Sequence, residues 1–147
     1  ALKILGEGRV GLAARAVGSC DKLIELSASY AKERIQFGKP IADNQAIQWM
    51  LADMATETEA ARTLTMMAAQ KIDEGKKVVK EASMAKLFAS DVFNRVADKA
   101  VQIHGGMGYV SDYPVERFYR DARITKIYEG TNEVQRLIIA RNVLQEC

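Results

Sequence analysis

Neither glycine nor proline interrupts the chain between Ile41 and Glu74, or again between Lys76 and His104. Stretches that long without a breaker, with apolar residues recurring every three or four positions, predict helices. In the first, Ile47, Leu51, Met54, Ala61, Leu64, Ala68 and Ile72 form the stripe. Asp43 or Asn44 is placed to accept hydrogen bonds at its start, and Gly75 ends it. In the second, Val78, Ala82, Ala85, Phe88, Val92, Val96, Ala100 and Ile103 point inward, and Gly105-Gly106-Met107-Gly108 terminates it. Ahead of both, Arg9 to Ile35 repeats the pattern with Val10, Ala13, Val17, Cys20, Ile24, Ala28, Ala31 and Ile35, until Phe37-Gly38-Lys39-Pro40 stops it. A polar and aromatic stretch from Tyr109 to Gly130, broken by Pro114, reads as irregular. A last helix follows, capped by Thr131 or Asn132, with Val134, Leu137, Ile138 and Leu144 on its buried face. No sustained alternating or β-branched run suggests a sheet. The expected architecture is all-α: an antiparallel up-down four-helix bundle with a short irregular connection before the last helix.

The length of 147 residues suits one domain, and 48% hydrophobic content suffices for a packed core. Met50, Met54, Met66, Met67 and Met84 read as core filler. Lys+Arg 21 against Asp+Glu 19 leaves a net charge of +2, which argues against a nucleic-acid-binding domain. Two distant cysteines, Cys20 and Cys147, and the single His104 supply neither a disulfide framework nor a His/Cys metal site. Charges interrupt every helix-like segment, so no membrane span is expected and the chain reads as soluble. It opens at Ala1 without methionine and already inside an amphipathic segment, and is expected to be a fragment of a longer protein.

Four segments carry side chains suited to chemistry. Gln102-Ile103-His104-Gly105-Gly106-Met107-Gly108-Tyr109 has its glycines after a helix, unlike a nucleotide-binding loop. They either end the helix or bare backbone amides to a ligand, and His104 reads first as a hydrogen-bonded structural residue. Arg34 precedes a tight turn, where a guanidinium either caps carbonyls or recognises phosphate. Glu116 to Arg123 alternates charge and aromatic residues, as in a salt-bridged connection. In Ile127-Tyr128-Glu129-Gly130-Thr131-Asn132-Glu133, the Glu129 carboxylate sits just before a helix, either stabilising its N-terminus or, partly desolvated by Ile127 and Tyr128, serving as a base.

Taken together in order, these pieces resemble the C-terminal domain of the acyl-CoA dehydrogenases. The resemblance spans essentially the whole chain. It runs through Arg34-Ile35-Gln36-Phe37-Gly38-Lys39-Pro40, Gln45-Ala46-Ile47-Gln48, Leu51-Ala52-Asp53-Met54, the Gln102 to Tyr109 segment, Tyr119-Arg120-Asp121-Ala122-Arg123-Ile124 and Ile127 to Glu133, with Gln135-Arg136 after it. Short- and branched-chain members look most similar.

That resemblance implies an FAD-dependent enzyme of which residues 1–147 are the C-terminal helical domain, the N-terminal helical and middle β domains being absent. It implies Glu129 as the base that removes the α-proton of a saturated acyl-CoA, with the β-hydride passing to flavin N5 to give a trans-2-enoyl-CoA. Donors to the developing enolate oxygen would be the base residue's own backbone N–H and a flavin ribityl hydroxyl. Arg34 and Gln45 would meet the FAD of a neighbouring subunit, and Gln102, Ile103, His104, Gly105 and Gly106 its adenosine side. Thr131, Asn132 and Glu133 would contact FAD within the subunit. Gly130 would line the thioester pocket, and Arg9 would hold the coenzyme A portion; the family often carries an acid a few residues before that arginine, where this chain has Gly6.

A homodimer or homotetramer, an electron-transferring flavoprotein as electron acceptor, and a bacterial cytoplasm or mitochondrial matrix are implied in the same way. The isolated fragment is expected to be inactive. Two alternatives stand beside this reading: a flavin monooxygenase or oxidase on the same fold, and a bundle that only mediates subunit association.

Overall fold

In a computed structural model, the backbone is described for residues 2–146 and side chains for residues 6–146. Helix α1, Leu2–Glu33, is a single unbroken rod that starts earlier and ends slightly sooner than the expected Arg9 to Ile35. The chain then forms a two-residue-per-strand hairpin, β1 (Ile35–Gln36) and β2 (Lys39–Pro40), where no strand was expected. Its turn residues Phe37 and Gly38 both take positive φ, 54° and 80°, the geometry of a tight two-residue hairpin. A short 3-10 turn at Ile41–Asp43 leads into α2, Gln45–Asp73, with Asn44 at the N-cap position.

Helix α3, Val79–His104, is the centre of the molecule and touches all four other helices. Lys71 pairs with Glu81 near the α2–α3 turn, while Arg95 meets Glu57 and Lys99 meets Asp53 farther along, so α2 and α3 are antiparallel. Arg9 lies by Ser83 and Tyr30 stacks on His104, so α1 and α3 run the same way. The interior is rich in alanine: Ala13, Ala16, Ala61, Ala68, Ala82, Ala85, Ala89, Ala97 and Ala100 are all buried. Small side chains let the helix axes approach closely, and larger ones such as Leu12, Leu23, Met54, Val92 and Val96 fill what remains. Thr58 and Thr65 sit in the stripe of α2 because their hydroxyls are satisfied by the carbonyls of Met54 and Ala61, each at 2.7 Å.

Three expectations are corrected. The connection after Gly108 is not wholly irregular, because α4, Val115–Ile124, forms within it and makes five α-helices among the described residues in place of four. It buries Val115 and Ala122, with Phe118 packed beside them. Helix α5, Asn132–Glu146, presents Val134, Leu137 and Leu144 outward, Leu144 at 79% exposure, and buries Asn132 and Gln135 against α3. Met66 and Met67 are exposed on α2 and fill no core, whereas Met54 is fully buried.

Cys20 is buried in α1, which pushes its thiol up to about 12 and leaves it protonated at neutral pH. Cys147 and Ala1 lie outside the described residues. Among those described, no helix is long and apolar enough to cross a membrane.

Candidate active site

Glu129 stands on the tight turn between α4 and α5, at φ +58°, a region that non-glycine residues seldom occupy. Gly130 follows at φ +86°, and a Cβ there would come within 2.7 Å of Gln135 Nε2, so glycine is required by both backbone and neighbour. The turn is held from two sides. Gln135 Nε2 donates to Glu129 O at 3.1 Å and to Gly130 O at 2.9 Å. From α3, Lys86 Nζ donates to Gly130 O and to Asn132 Oδ1, both at 2.8 Å.

Asn132 is locked in turn. Its Nδ2 donates to Ser90 Oγ at 2.9 Å and to Asp91 Oδ1 at 3.1 Å, and its backbone N–H donates to Lys126 O at 3.0 Å. Thr131 caps α5 by accepting the Val134 N–H at 3.4 Å. Beside it, Glu133's own backbone N–H and the Thr131 hydroxyl hold the Glu133 carboxyl below its usual range.

This frame carries the Glu129 side chain across to α1. A Cβ on Gly8 would lie 3.0 Å from Glu129 Oε2 and 3.4 Å from its Cδ, so the carboxylate rests over a residue that offers no side chain. Arg9, next along α1, reaches Ser83 Oγ at 3.4 Å, and its Nε is buried without a partner. Burial lowers the Lys86 ammonium to about 8, with Arg9 pushing the same way and Asp91, Glu133 and Glu129 opposing. Ile127 and Tyr128, expected to wall Glu129 with apolar surface, are both exposed, as is Glu129 itself.

The remaining candidates gather at the other end of the bundle. Arg34 closes α1, and its carbonyl accepts the Ile41 N–H at 2.9 Å; Gln45 opens α2 just beyond. Gln102 to Gly106 end α3 beside them, because His104 stacks on Tyr30 with ring centroids 4.3 Å apart. His104 is buried, and its Nδ1 lies 2.8 Å from Ala100 O. A carbonyl can only accept, which puts the proton on Nδ1, and burial lowers the ring's basicity. The Ile103 and His104 side chains are buried, whereas Arg34, Gln45, Gln102, Gly105 and Gly106 are exposed. Between Gly8 and Glu33, α1 covers about 38 Å at 1.5 Å per residue. The structure thus brings Arg9, Glu129, Gly130, Thr131, Asn132 and Glu133 together, and sets Arg34, Gln45 and Gln102 to Gly106 far from them.

The family model for the acyl-CoA dehydrogenase C-terminal domain matches residues 1–144. The chain belongs to the acyl-CoA dehydrogenase family. It is 56% identical to an acyl-CoA dehydrogenase of Bacillus subtilis over 98% of this chain and 38% of the relative. It is 53% identical to the acryloyl-CoA reductase (NADH) of Anaerotignum propionicum, over 99% of this chain and 37% of that protein. The solved structure of butyryl-CoA dehydrogenase from Megasphaera elsdenii superposes with a TM-score of 0.93 at 49% identity, covering 95% of this chain and 37% of that one. The chain therefore spans well under half the length of these acyl-CoA dehydrogenase relatives.

Acyl-CoA dehydrogenases are flavoproteins, and the residues here suit FAD. At Gly105 and Gly106 nothing lies within 4 Å of where a Cβ would stand, so a flat ring or a phosphate can lie against bare backbone. The nearby Arg34 guanidinium makes no ion pair among the described residues, which leaves it open to an anion. The motifs of this acyl-CoA dehydrogenase domain include Gln135 without giving it a role, and they did not single out Lys86 or Gly8. Only Lys86 left a legible signal, as a charge set among Ala82, Ala85 and Ala89 on the apolar stripe of α3.

Proposed function

We propose that the chain is the C-terminal domain of a longer FAD-dependent acyl-CoA dehydrogenase in which Glu129 removes the α-proton of an acyl-CoA thioester. The observation that carries this reading is the Glu129 carboxylate, held over Gly8 by a turn whose carbonyls are bound by Lys86 and Gln135. A carboxylate fixed by backbone geometry above a gap in a neighbouring helix suits a base that must meet a carbon acid at one defined point. Its exposure is consistent with a site that substrate and further parts of the enzyme cover, desolvating the carboxylate as they close over it.

Bound FAD would supply the two-electron acceptor for the oxidation. Thr131, Asn132 and Glu133 would hold it within the subunit, and Gly130 would border the thioester. Arg9 would serve the coenzyme A portion.

The separation of the two residue clusters supports a site shared between copies. About 38 Å of helix lies between Gly8 and the end of α1, so Arg34, Gln45 and the Gln102 to Gly106 segment suit the cofactor of a neighbouring subunit. Phe37, 99% exposed at the hairpin tip, together with Trp49 and Tyr109, fits a surface that a second copy covers in a homodimer or homotetramer. An electron-transferring flavoprotein is the electron partner this reading implies, in a bacterial cytoplasm or mitochondrial matrix.

A second reading follows from the acryloyl-CoA reductase likeness. In that direction Glu129 returns a proton to the α-carbon of an enoyl-CoA, as microscopic reversibility requires. The geometry is the same for both.

The test uses the full-length enzyme, mixed anaerobically with butyryl-CoA and with a short branched acyl-CoA. Wild type should lose its flavin absorbance, while Glu129→Gln keeps its FAD and does not bleach. Equal bleaching by both removes Glu129 from the proton transfer. Faster turnover of an enoyl-CoA with a reduced electron donor selects the reductase direction.

A further inference from the structure

Lys86 is fully buried, yet it forms no salt bridge among the described residues. Asp91, one turn along α3, is occupied by Lys126 at 2.8 Å and Arg136 at 3.5 Å. The ammonium is held instead by two neutral oxygens, Gly130 O and Asn132 Oδ1. A buried cation with no carboxylate in direct contact is a poor means of stabilising a bundle, since an apolar side chain of similar volume avoids the desolvation cost. Some other requirement keeps a lysine here, and the atoms it binds identify it.

Gly130 O accepts from both Lys86 Nζ and Gln135 Nε2, so both of its lone pairs are taken and the peptide plane after Gly130 cannot rotate. That plane closes the turn in which Glu129 is kept at φ +58°. Gln135 Nε2 also holds Glu129 O at 3.1 Å, so the peptide planes before and after Gly130 are both tied, and with them the backbone from which the Glu129 carboxylate projects over Gly8. We infer that Lys86 is the positioning residue for Glu129, fixing the strained turn from α3 so that the carboxylate meets the substrate α-carbon. This inference rests on the reading of Glu129 as the proton-transferring group.

Lys86→Met tests it, because the variant keeps the volume and strands neither acceptor. Gly130 O retains Gln135 Nε2 at 2.9 Å, and Asn132 Oδ1 retains Ser90 Oγ at 3.1 Å. In the full-length enzyme, anaerobic flavin reduction by butyryl-CoA is measured for wild type, Lys86→Met, Lys86→Ala and Glu129→Gln, with FAD content and melting temperature recorded for each. The expected result is a fall in kcat of about 100-fold for Lys86→Met, the cost of misplacing a reacting group by about 1 Å. KM, FAD content and melting should be retained, and added propylammonium should restore part of the rate to Lys86→Ala.

Wild-type kcat in Lys86→Met overturns the inference, as does a loss of fold and FAD in both lysine variants, which assigns Lys86 to structure alone. If Glu129→Gln is inactive while Lys86→Met matches wild type, only the role of Lys86 fails. If Glu129→Gln bleaches like wild type, the reading of Glu129 fails and the role of Lys86 falls with it.

Discussion

Replacing Gly8 with alanine should make the protein more stable and less active at once, and the two effects have separate origins. Gly8 lies inside α1, where glycine is less favourable than alanine by about 1 kcal/mol. The added Cβ would meet only the far end of one side chain: Glu129 Oε2 at 3.0 Å, Cδ at 3.4 Å and Oε1 at 3.5 Å. No backbone must shift, and an exposed carboxylate can retreat toward solvent. Most of the helix gain should therefore survive, raising the melting temperature of a chain this size by about 3 °C.

The activity cost comes from that retreat. To reach an ordinary contact of 3.4 Å from 3.0 Å, Oε2 must move by about 0.4 Å. If misplacement by 1 Å costs about 100-fold, a logarithmic interpolation gives roughly a sixfold fall in the rate of α-proton removal. With Glu129 as the proposed base, stopped-flow bleaching of the full-length enzyme's flavin by butyryl-CoA gives this rate, and urea unfolding gives the stability. KM should hold, since the carboxylate and not the substrate is displaced. A drop in stability would show that the contact is not with a yielding side-chain end. An unchanged rate would show that the position over Gly8 is not the reactive one. A rise in KM alone would mean that position 8 touches substrate directly.

Two further outcomes test the opposite end of the bundle. Gly105, at φ 58° and ψ −137°, occupies a conformation open to glycine, so Gly105→Ala should cost about 1–3 kcal/mol in urea unfolding, whereas Gly106→Ala should be close to neutral; equal effects would refute the backbone argument. His104 is held neutral by burial and titrates in the folded state below its ordinary 6.5, so the unfolded chain binds more protons and stability should fall as pH drops through and below 6.5. His104→Phe keeps a ring against Tyr30 and should flatten that acid limb, and a slope identical to wild type would assign the acid sensitivity elsewhere.

The long helices were legible because breakers and periodic apolar residues act locally, and α2 and α3 lie almost where Gly75 and Gly105 confine them. Helix α4 was hidden by its composition. Only Val115, Phe118 and Ala122 mark its inner face among charges, too few for a periodicity to emerge. The hairpin at Ile35 to Pro40 was hidden for a different reason: Phe37 takes a positive φ that its residue type disfavours, so no local preference announces it. At the candidate site, motif resemblance drew attention to Glu129 and its neighbours, but nothing in the spacing said that Gly8 lies beneath its carboxylate. That contact joins residues at opposite ends of the chain and exists only once α1 and the α4–α5 turn are packed on α3.

The inversion of α5 shows where pattern reading reaches its limit. Val134, Leu137 and Leu144 recur at helical spacing and were assigned inward, yet they face out, while Asn132 and Gln135 are buried. Periodicity identifies a face that must be covered; it does not say by what. Here α3 already offers polar groups, Lys86 and Ser90, and Asn132 on the polar face of α5 meets both. The demand for buried hydrogen bonds outweighs the area that three aliphatic side chains would remove from water, because an orphaned buried ammonium costs more than exposed methyl groups. The turn geometry that carries Glu129 follows from the same choice, since Gln135 reaches Glu129 O and Gly130 O only from the buried face. Burying the polar face of α5 and holding the candidate base thus rest on one set of hydrogen bonds, in which Gln135 and Asn132 of α5 take part.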